Sequence, residues 1–202
     1  MSDHLSGTIV LASHNAGKLR EIAALLLPYD VEVKSAKDFG LSEPDETEET
    51  FAGNARLKAH HAARETGLPA LSDDSGLSVI ALDGRPGVHT ADWAETEHGR
   101  DFDMAMEKVW QAVQITGRPA PYSAAFHCTL CLAFPDGSDK IFEGTVEGVL
   151  VWPKRGDRGF GFDPMFLPEG ETETLGEMDP ERKHAISHRS LAFEKFVKVC
   201  FD

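Results

Sequence analysis

Two adjacent aspartates, Asp73 and Asp74, stand between apolar residues in Leu71-Ser72-Asp73-Asp74-Ser75-Gly76-Leu77. A carboxylate beside an apolar run is costly to bury unless it is paired or bound to metal. With Asp45 or Glu46 from the acidic stretch at 42–49, a carboxylate here supplies hard oxygen ligands. Mg2+ takes one or two such carboxylates and fills its shell with phosphate oxygens and water. A turn built from Asp, Ser and Gly is the plainer alternative for the same residues.

Cations answer these carboxylates elsewhere in the chain. Ser13-His14-Asn15-Ala16-Gly17-Lys18 follows an apolar run and precedes a helical pattern. It lacks the Gly-x-x-x-x-Gly-Lys-Ser/Thr spacing of a P-loop. It still offers backbone N–H groups, a helix N-terminus and the charge of Lys18 to a phosphate, with Ser13 and Asn15 as further donors. Asn54 and Lys58 lie four apart, on one face of a predicted helix. In Lys183-His184-Ala185-Ile186-Ser187-His188-Arg189, Ser187 is a helix cap, which puts His188 and Arg189 in the first turn. A cation there opposes the macrodipole, an arrangement that suits a bound anion. In Arg158-Gly159-Phe160-Gly161-Phe162-Asp163-Pro164 the glycines allow close backbone approach, and Phe160 or Phe162 can stack on a base. Each feature alone also has an ordinary role: a loop, a solvated lysine, an aromatic returning to the core. Taken together, Lys18, Lys58, Lys183 and Arg189 against Asp45, Glu46, Asp73 and Asp74 point to a polyphosphate carrying a divalent metal.

The elements that must position these residues follow from periodicity. Residues 8–12 read as a strand, SHNAGK as a polar loop, and Leu19, Ile22, Ala23 and Leu26 as a helix stopped near Pro28. A short strand is expected over 31–35 and a helix over 50–65, with Phe51, Ala55, Ala59 and Ala62 on one face and Gly67 as its stop. Residues 70–82 read as a strand broken by a polar turn at the aspartates, and 83–94 as loop. A helix over 100–116 precedes two strands, 123–134 and 140–151, joined at Pro135-Asp136-Gly137. Asp179-Pro180 opens a short helix. Ser187 opens the last, with Ala192, Phe196 and Val199 as its apolar face. Alternating strands and helices with one hairpin imply an α/β fold with a mixed sheet.

Composition narrows the class. The chain has 202 residues, 41% of them hydrophobic, enough for one α/β domain spanning 1–202. A formal charge of −14 without a basic stripe argues against a nucleic-acid partner. No apolar run approaches the roughly 20 residues of a membrane span, so no membrane partner is expected. The N-terminus lacks the basic n-region of a signal peptide. Cys128, Cys131 and Cys200 make an odd count that suits a reducing cytoplasm. Cys128-Thr-Leu-Cys131 has no second pair to complete a zinc site and is expected to pack in a sheet.

The chain is similar to the inosine/xanthosine triphosphate pyrophosphatases, over about residues 8–197. The likeness is carried by Ser13–Lys18, Thr50-Phe51 with Asn54-Ala55 and Lys58-Ala59, Ser72–Leu77, Gly84–Gly87, Phe160–Pro164 and Ser187–Arg189, in the family's order and spacing. The resemblance implies an elongated mixed central sheet with flanking helices, in two lobes around a substrate cleft, and a cytoplasmic homodimer. It implies cleavage of ITP, dITP and XTP to the monophosphate and pyrophosphate, with Mg2+. Asp74 matches the proton acceptor and a metal ligand, and the Asp45-Glu46 pair matches the segment that supplies another. Ser13, His14, Asn15, Ala16, Gly17 and Lys18 match the phosphate-binding segment. Ser75, Phe160, Gly161, Phe162, Asp163, Lys183, His188 and Arg189 match substrate contacts. Lys18 and Lys58 would share the charge of the transition state with the metal. Three positions depart from the family's habit: Asp92 stands where arginine is frequent, Phe162 replaces a frequent tyrosine, and Asp45 a frequent glutamate. A pyrophosphatase for pyrimidine or other modified nucleotides, and a nucleotide sensor without catalysis, are the competing readings.

Overall fold

A computed structural model of the chain describes residues 5–13, 16–29 and 31–201, without the side chains of 16–18, 20 and 21. His14 and Asn15 therefore lie outside the described residues, as do the side chains of Ala16, Gly17 and Lys18. A six-stranded mixed sheet forms the centre, in the order β2 (Val31–Ser35), β1 (Gly7–Leu11), β3 (Ala70–Val79), β6 (Tyr122–Ala133), β7 (Asp139–Leu150), β8 (Phe166–Pro168), with helices flanking it. The chain divides into two compact units, the first built of Met1–Asp74, Thr129–Glu143 and Ala192–Asp202, the second of Ser75–Cys128 and Gly144–Leu191.

In the first unit, β1 (Gly7–Leu11) runs parallel to β2 (Val31–Ser35) and to β3 (Ala70–Val79), with Leu11 opposite both Ser35 and Leu71. A strand covered on both faces needs a continuous apolar run, which Ile9, Val10 and Leu11 supply. Helix α1 (Ala16–Leu26) begins inside the segment expected to be loop, so Ala16–Lys18 form its first turn. Helix α2 (Phe51–Thr66) starts where Thr50 Oγ1 accepts the Gly53 N–H at 3.0 Å, and it ends at Gly67, whose φ is +68°. Its Ala55, Ala59, Ala62 and Ala63 are buried together with Val10, Ala70, Cys131 and Ala133. Small side chains on the helix let it approach the sheet closely.

The expected hairpin is present as β6 (Tyr122–Ala133) and β7 (Asp139–Leu150). Its turn is closed by the Phe134 N–H to Ser138 O at 2.9 Å. Cys128 and Cys131 are buried free thiols in β6, and Cys200 is a third. Burial pushes the Cys131 thiol up to about 12, with Asp139 adding to the effect, which leaves it inert at neutral pH. The last helix carries Ala192, Phe193, Phe196 and Cys200 inward, while Val199 is exposed, contrary to the expected face. At about 100° per residue the buried stripe centres between Ala192 and Phe193, and Val199 falls on its flank.

In the second unit, α3 (Phe102–Ile115) is capped by Asp101, whose Oδ1 accepts the Met104 N–H at 2.9 Å. Ala105, Met106, Val109 and Val113 join Leu77, Val79, Phe126, Phe166 and Met178 in one core. Two short strands, β4 (Glu95–Thr96) and β5 (Gly99–Arg100), pair beside it, and β8 (Phe166–Pro168) pairs antiparallel with β7. Residues 83–94, expected as loop, contain the short 3-10 turns Gly87–His89 and Asp92–Ala94. Helix α4 (Pro180–Ile186) is capped by Asp179, and α5 (His188–Cys200) follows Ser187, as the sequence predicts.

The aspartate pair overturns one expectation. β3 is not broken by a turn; it runs unbroken from Ala70 to Val79, and Asp73 and Asp74 are buried in its middle.

Candidate active site

Period-two alternation of β3 puts Ser72 and Asp74 on one face, and that face meets α2. The Ser72 hydroxyl donates to Ala55 O at 2.5 Å. Asp74 Oδ1 lies 3.8 Å from Lys58 Nζ. Lys58 is only 4% exposed and also donates to Glu46 Oε1 through a short contact. Burial by itself would lower the pKa of this ammonium, but Asp74, Asp73 and Glu46 outweigh it and hold Lys58 above the usual lysine value.

Glu46 sits in a stretch without regular structure, so something must hold it. Asn54, buried one turn before Lys58, accepts the Glu48 N–H at 3.0 Å. Gly53 permits the approach: a Cβ there would lie 2.6 Å from Glu48 Cβ. Both candidate acids are exposed, and of the two Glu46 is the one that meets Lys58. Ser13 is buried just beyond β1.

A second group forms in the other unit. Asp163 is buried, and its Oδ2 accepts the Phe160 N–H at 2.7 Å and a Lys183 Nζ proton at 2.6 Å. Burial raises the Asp163 carboxyl above its ordinary value, although Lys183, the Phe160 N–H and Arg189 pull the other way. Lys183 Nζ stands 4.8 Å from the Phe160 ring centre and the Arg189 guanidinium 5.8 Å. Gly159 has φ +79°, and a Cβ there would reach within 2.2 Å of Asp163 Oδ2 and 3.0 Å of Lys183 Nζ.

The two phenylalanines of this loop part company. Phe160 is 58% exposed, while Phe162 is 1% exposed and meets Phe102 edge-on at 5.8 Å. Phe162, offered by sequence as a stacking ring, is a core residue, because the turn at Gly161 sends alternate rings to opposite sides. His188 is buried with its ring stacked on Phe126 at 5.0 Å, and Ser187 Oγ accepts the Ser190 N–H at 3.1 Å. Gly161 lies in the same loop at φ +65°, and Ser75 is partly buried in β3 directly after Asp74. Asp92, standing where arginine is frequent in the resembled family, pairs with His89 Nδ1 at 2.8 Å.

The structure thus joins Glu46, Lys58 and Asp74 with Asp73 near, and separately joins Phe160, Asp163, Lys183 and Arg189. Sequence reasoning missed Gly53, and it read Gly159 only as one of the glycines that let the loop approach a ligand. Each is a glycine one to five residues from a polar candidate, and only the close approach of another chain segment reveals why it must be glycine. Among the described residues, no three His, Cys, Asp or Glu side chains gather into a ready-made metal cage.

The chain is thus an α/β protein with a mixed sheet and a lysine buried among carboxylates. Residues 9–199 match the Ham1 family, and the chain belongs to that family. It is 60% identical over 194 residues to the dITP/XTP pyrophosphatase of Ruegeria pomeroyi, covering 96% of this chain and 95% of that one. It is 56% identical to the dITP/XTP pyrophosphatase of Mesorhizobium japonicum, covering 96% and 93%. Among solved structures, the HAM1 protein of Coxiella burnetii superposes with a TM-score of 0.89 at 38% identity, covering 95% of this chain and 97% of that one.

Proposed function

We propose that the chain is a nucleoside triphosphate pyrophosphohydrolase that cleaves dITP, ITP and XTP to the monophosphate and pyrophosphate. The observation that carries this reading is the buried Lys58 held between Glu46 and Asp74. It is supported by the dITP/XTP pyrophosphatases that share more than half of the sequence. The reaction removes non-standard purines from the nucleotide pool.

Water attacks the α-phosphorus and pyrophosphate leaves. Asp74 orients this water and accepts its proton. Lys58 neutralises charge that develops on the phosphate oxygens. The first turn of α1, with the buried Ser13 before it, offers backbone N–H groups to phosphate, and the resemblance adds His14, Asn15 and Lys18 to that role. The donor set suits Mg2+: Glu46 and Asp74 are hard carboxylates that share Lys58, with Asp45 adjoining, and Mg2+ needs only one or two such ligands. When bound, Mg2+ would neutralise phosphate charge and make water more acidic, which a weak carboxylate base requires.

Base choice belongs to the second group. Phe160 offers a face for stacking, and Arg189 and Lys183 strengthen it. Lys183 donates to the 6-oxo group of hypoxanthine or xanthine, and His188 is the other candidate donor. Adenine carries a donor at that position and would leave these groups unpaired.

The proposal includes a cytoplasmic homodimer; among the described residues no helix is long and apolar enough to cross a membrane. Pyrophosphate release over a panel of triphosphates, with and without Mg2+, tests the whole reading. ITP, dITP and XTP should be cleaved fastest and only with the metal. Preference for dTTP or UTP would replace it with a pyrimidine pyrophosphatase, and tight ITP binding without product with a sensor.

A further inference from the structure

Helix α4 carries Lys183 yet has no fully buried residue. Seven residues do not hold a helix by themselves in water. Its placement therefore depends on what ties it down. Asp179 caps its start, Ile186 packs at its end, and between them the Arg182 guanidinium forks, Nη1 to Glu173 and Nη2 to Glu171. Those acceptors stand on a fixed base: the Thr174 hydroxyl donates to Arg155 O at 2.8 Å, and the Leu175 N–H donates to Phe166 O at 3.1 Å. Leu175 is buried in the core.

We propose that Arg182 is a positioning residue that fixes where Lys183 stands over Phe160, and so sets how well the 6-oxo edge of the purine is read. Arg182 and Lys183 are adjacent, so they point about 100° apart around the helix. A planar guanidinium held by two carboxylates fixes the rotation of α4, which a single point contact does not. That rotation decides whether Lys183 reaches Asp163 and the Phe160 face. An exposed ion pair contributes little to global stability, so the effect falls on recognition rather than on folding. The inference rests on the pyrophosphatase reading and names a determinant of its base specificity.

The test compares wild type, Arg182→Gln and Arg182→Lys for pyrophosphate release from ITP, XTP and ATP at low and high salt. Arg182→Gln should raise KM for ITP about fivefold with kcat within about twofold, because binding and not chemistry is disturbed. Its preference for ITP over ATP, which carries a donor in place of the 6-oxo group, should shrink and its melting temperature should hold. Arg182→Lys, a charge without the fork, should fall between the two. High salt should weaken binding of every triphosphate in all three enzymes and should narrow the gap between wild type and Arg182→Gln. An Arg182→Gln enzyme with wild-type KM and discrimination overturns the inference while leaving the reading intact. So does a variant with equal losses on every triphosphate and a lowered melting temperature, which makes Arg182 a brace. A wild type that releases no pyrophosphate from ITP or XTP overturns both.

Discussion

The group around Lys58 and the group around Lys183 both join a lysine to a buried aspartate, but with opposite charge balance. Around Lys58, Asp73, Asp74 and Glu46 outnumber a single ammonium, so the group calls for a further cation. Around Asp163, Lys183 and Arg189 outnumber a single carboxylate, so that group calls for an electron-rich acceptor. Their supports differ as well. Lys58 and Asp74 sit in the middle of a long helix and a long strand, while Phe160 and Lys183 sit on a glycine-rich loop and a short helix. Bond-breaking chemistry tolerates little displacement, and reading a base tolerates more.

The largest effect should come from Asp74→Asn. It keeps the shape of the side chain and removes the base, so kcat should fall about 10³-fold with an unchanged circular dichroism spectrum. Near-normal turnover would take Asp74 out of its role and leave the charge contrast without a catalytic meaning.

Lys58→Met should lower kcat about 10²-fold by the loss of one charge-stabilising group. It should also cost about 3 kcal/mol in denaturant unfolding, since it leaves buried carboxylates without their cation. The pH dependence has a definite sign. Because the folded pKa of Lys58 lies above its usual value of 10.5, its stabilising contribution is complete below pH 10.5. It is lost as pH rises through the folded value. Wild type should therefore show an alkaline loss of stability above pH 10.5 that Lys58→Met lacks. Matching alkaline profiles would mean that Lys58 is not held by these acids.

Gly159→Ala breaks the other group without touching the first. Its Cβ would strike Asp163 and displace Lys183, so KM for ITP should rise about tenfold with a smaller change in kcat. A kcat loss as large as that of Lys58→Met would erase the proposed division of labour. Phe160→Ala should have the smallest effect, a rise of about fivefold in KM, at the low end of base-stacking energies. An unchanged KM for every purine would remove Phe160 as the stacking platform.

Much of this contrast was legible in the sequence. The helix caps at Asp179 and Ser187, the helix stop at Gly67 and the hairpin turn at Pro135-Asp136-Gly137 announce themselves by local chemistry, and they stand where expected. The pairing of Asn54 and Lys58 on one face follows from helical period alone. β3 defied the local signal, because Asp-Asp-Ser-Gly reads as a turn by composition. Partners distant in sequence hold it extended: the Ala12 N–H donates to Leu71 O at 2.8 Å, and the Leu77 N–H donates to Thr90 Oγ1 at 2.9 Å. The choice between Phe160 and Phe162 was equally hidden, since the two share a loop and a residue type, and only Phe102 and the core behind it decide. The charge balance around Lys58 needed Glu46 to be brought to α2 from a stretch with no periodicity of its own.

That stretch has one more consequence. Asn54 and Lys58 grip it at Glu48 and Glu46 from consecutive turns of one helix. An extra residue inserted in α2 between Asn54 and Lys58 would swing one grip about 100° around the helix axis relative to the other. The acidic segment would lose one of its two holds, although none of its own residues had changed. Spare length before the segment, around Gly40 and Leu41, would leave the two grips in phase. Over evolutionary time, insertions and deletions should therefore be found in the approach to the segment and kept out of the helix between Asn54 and Lys58.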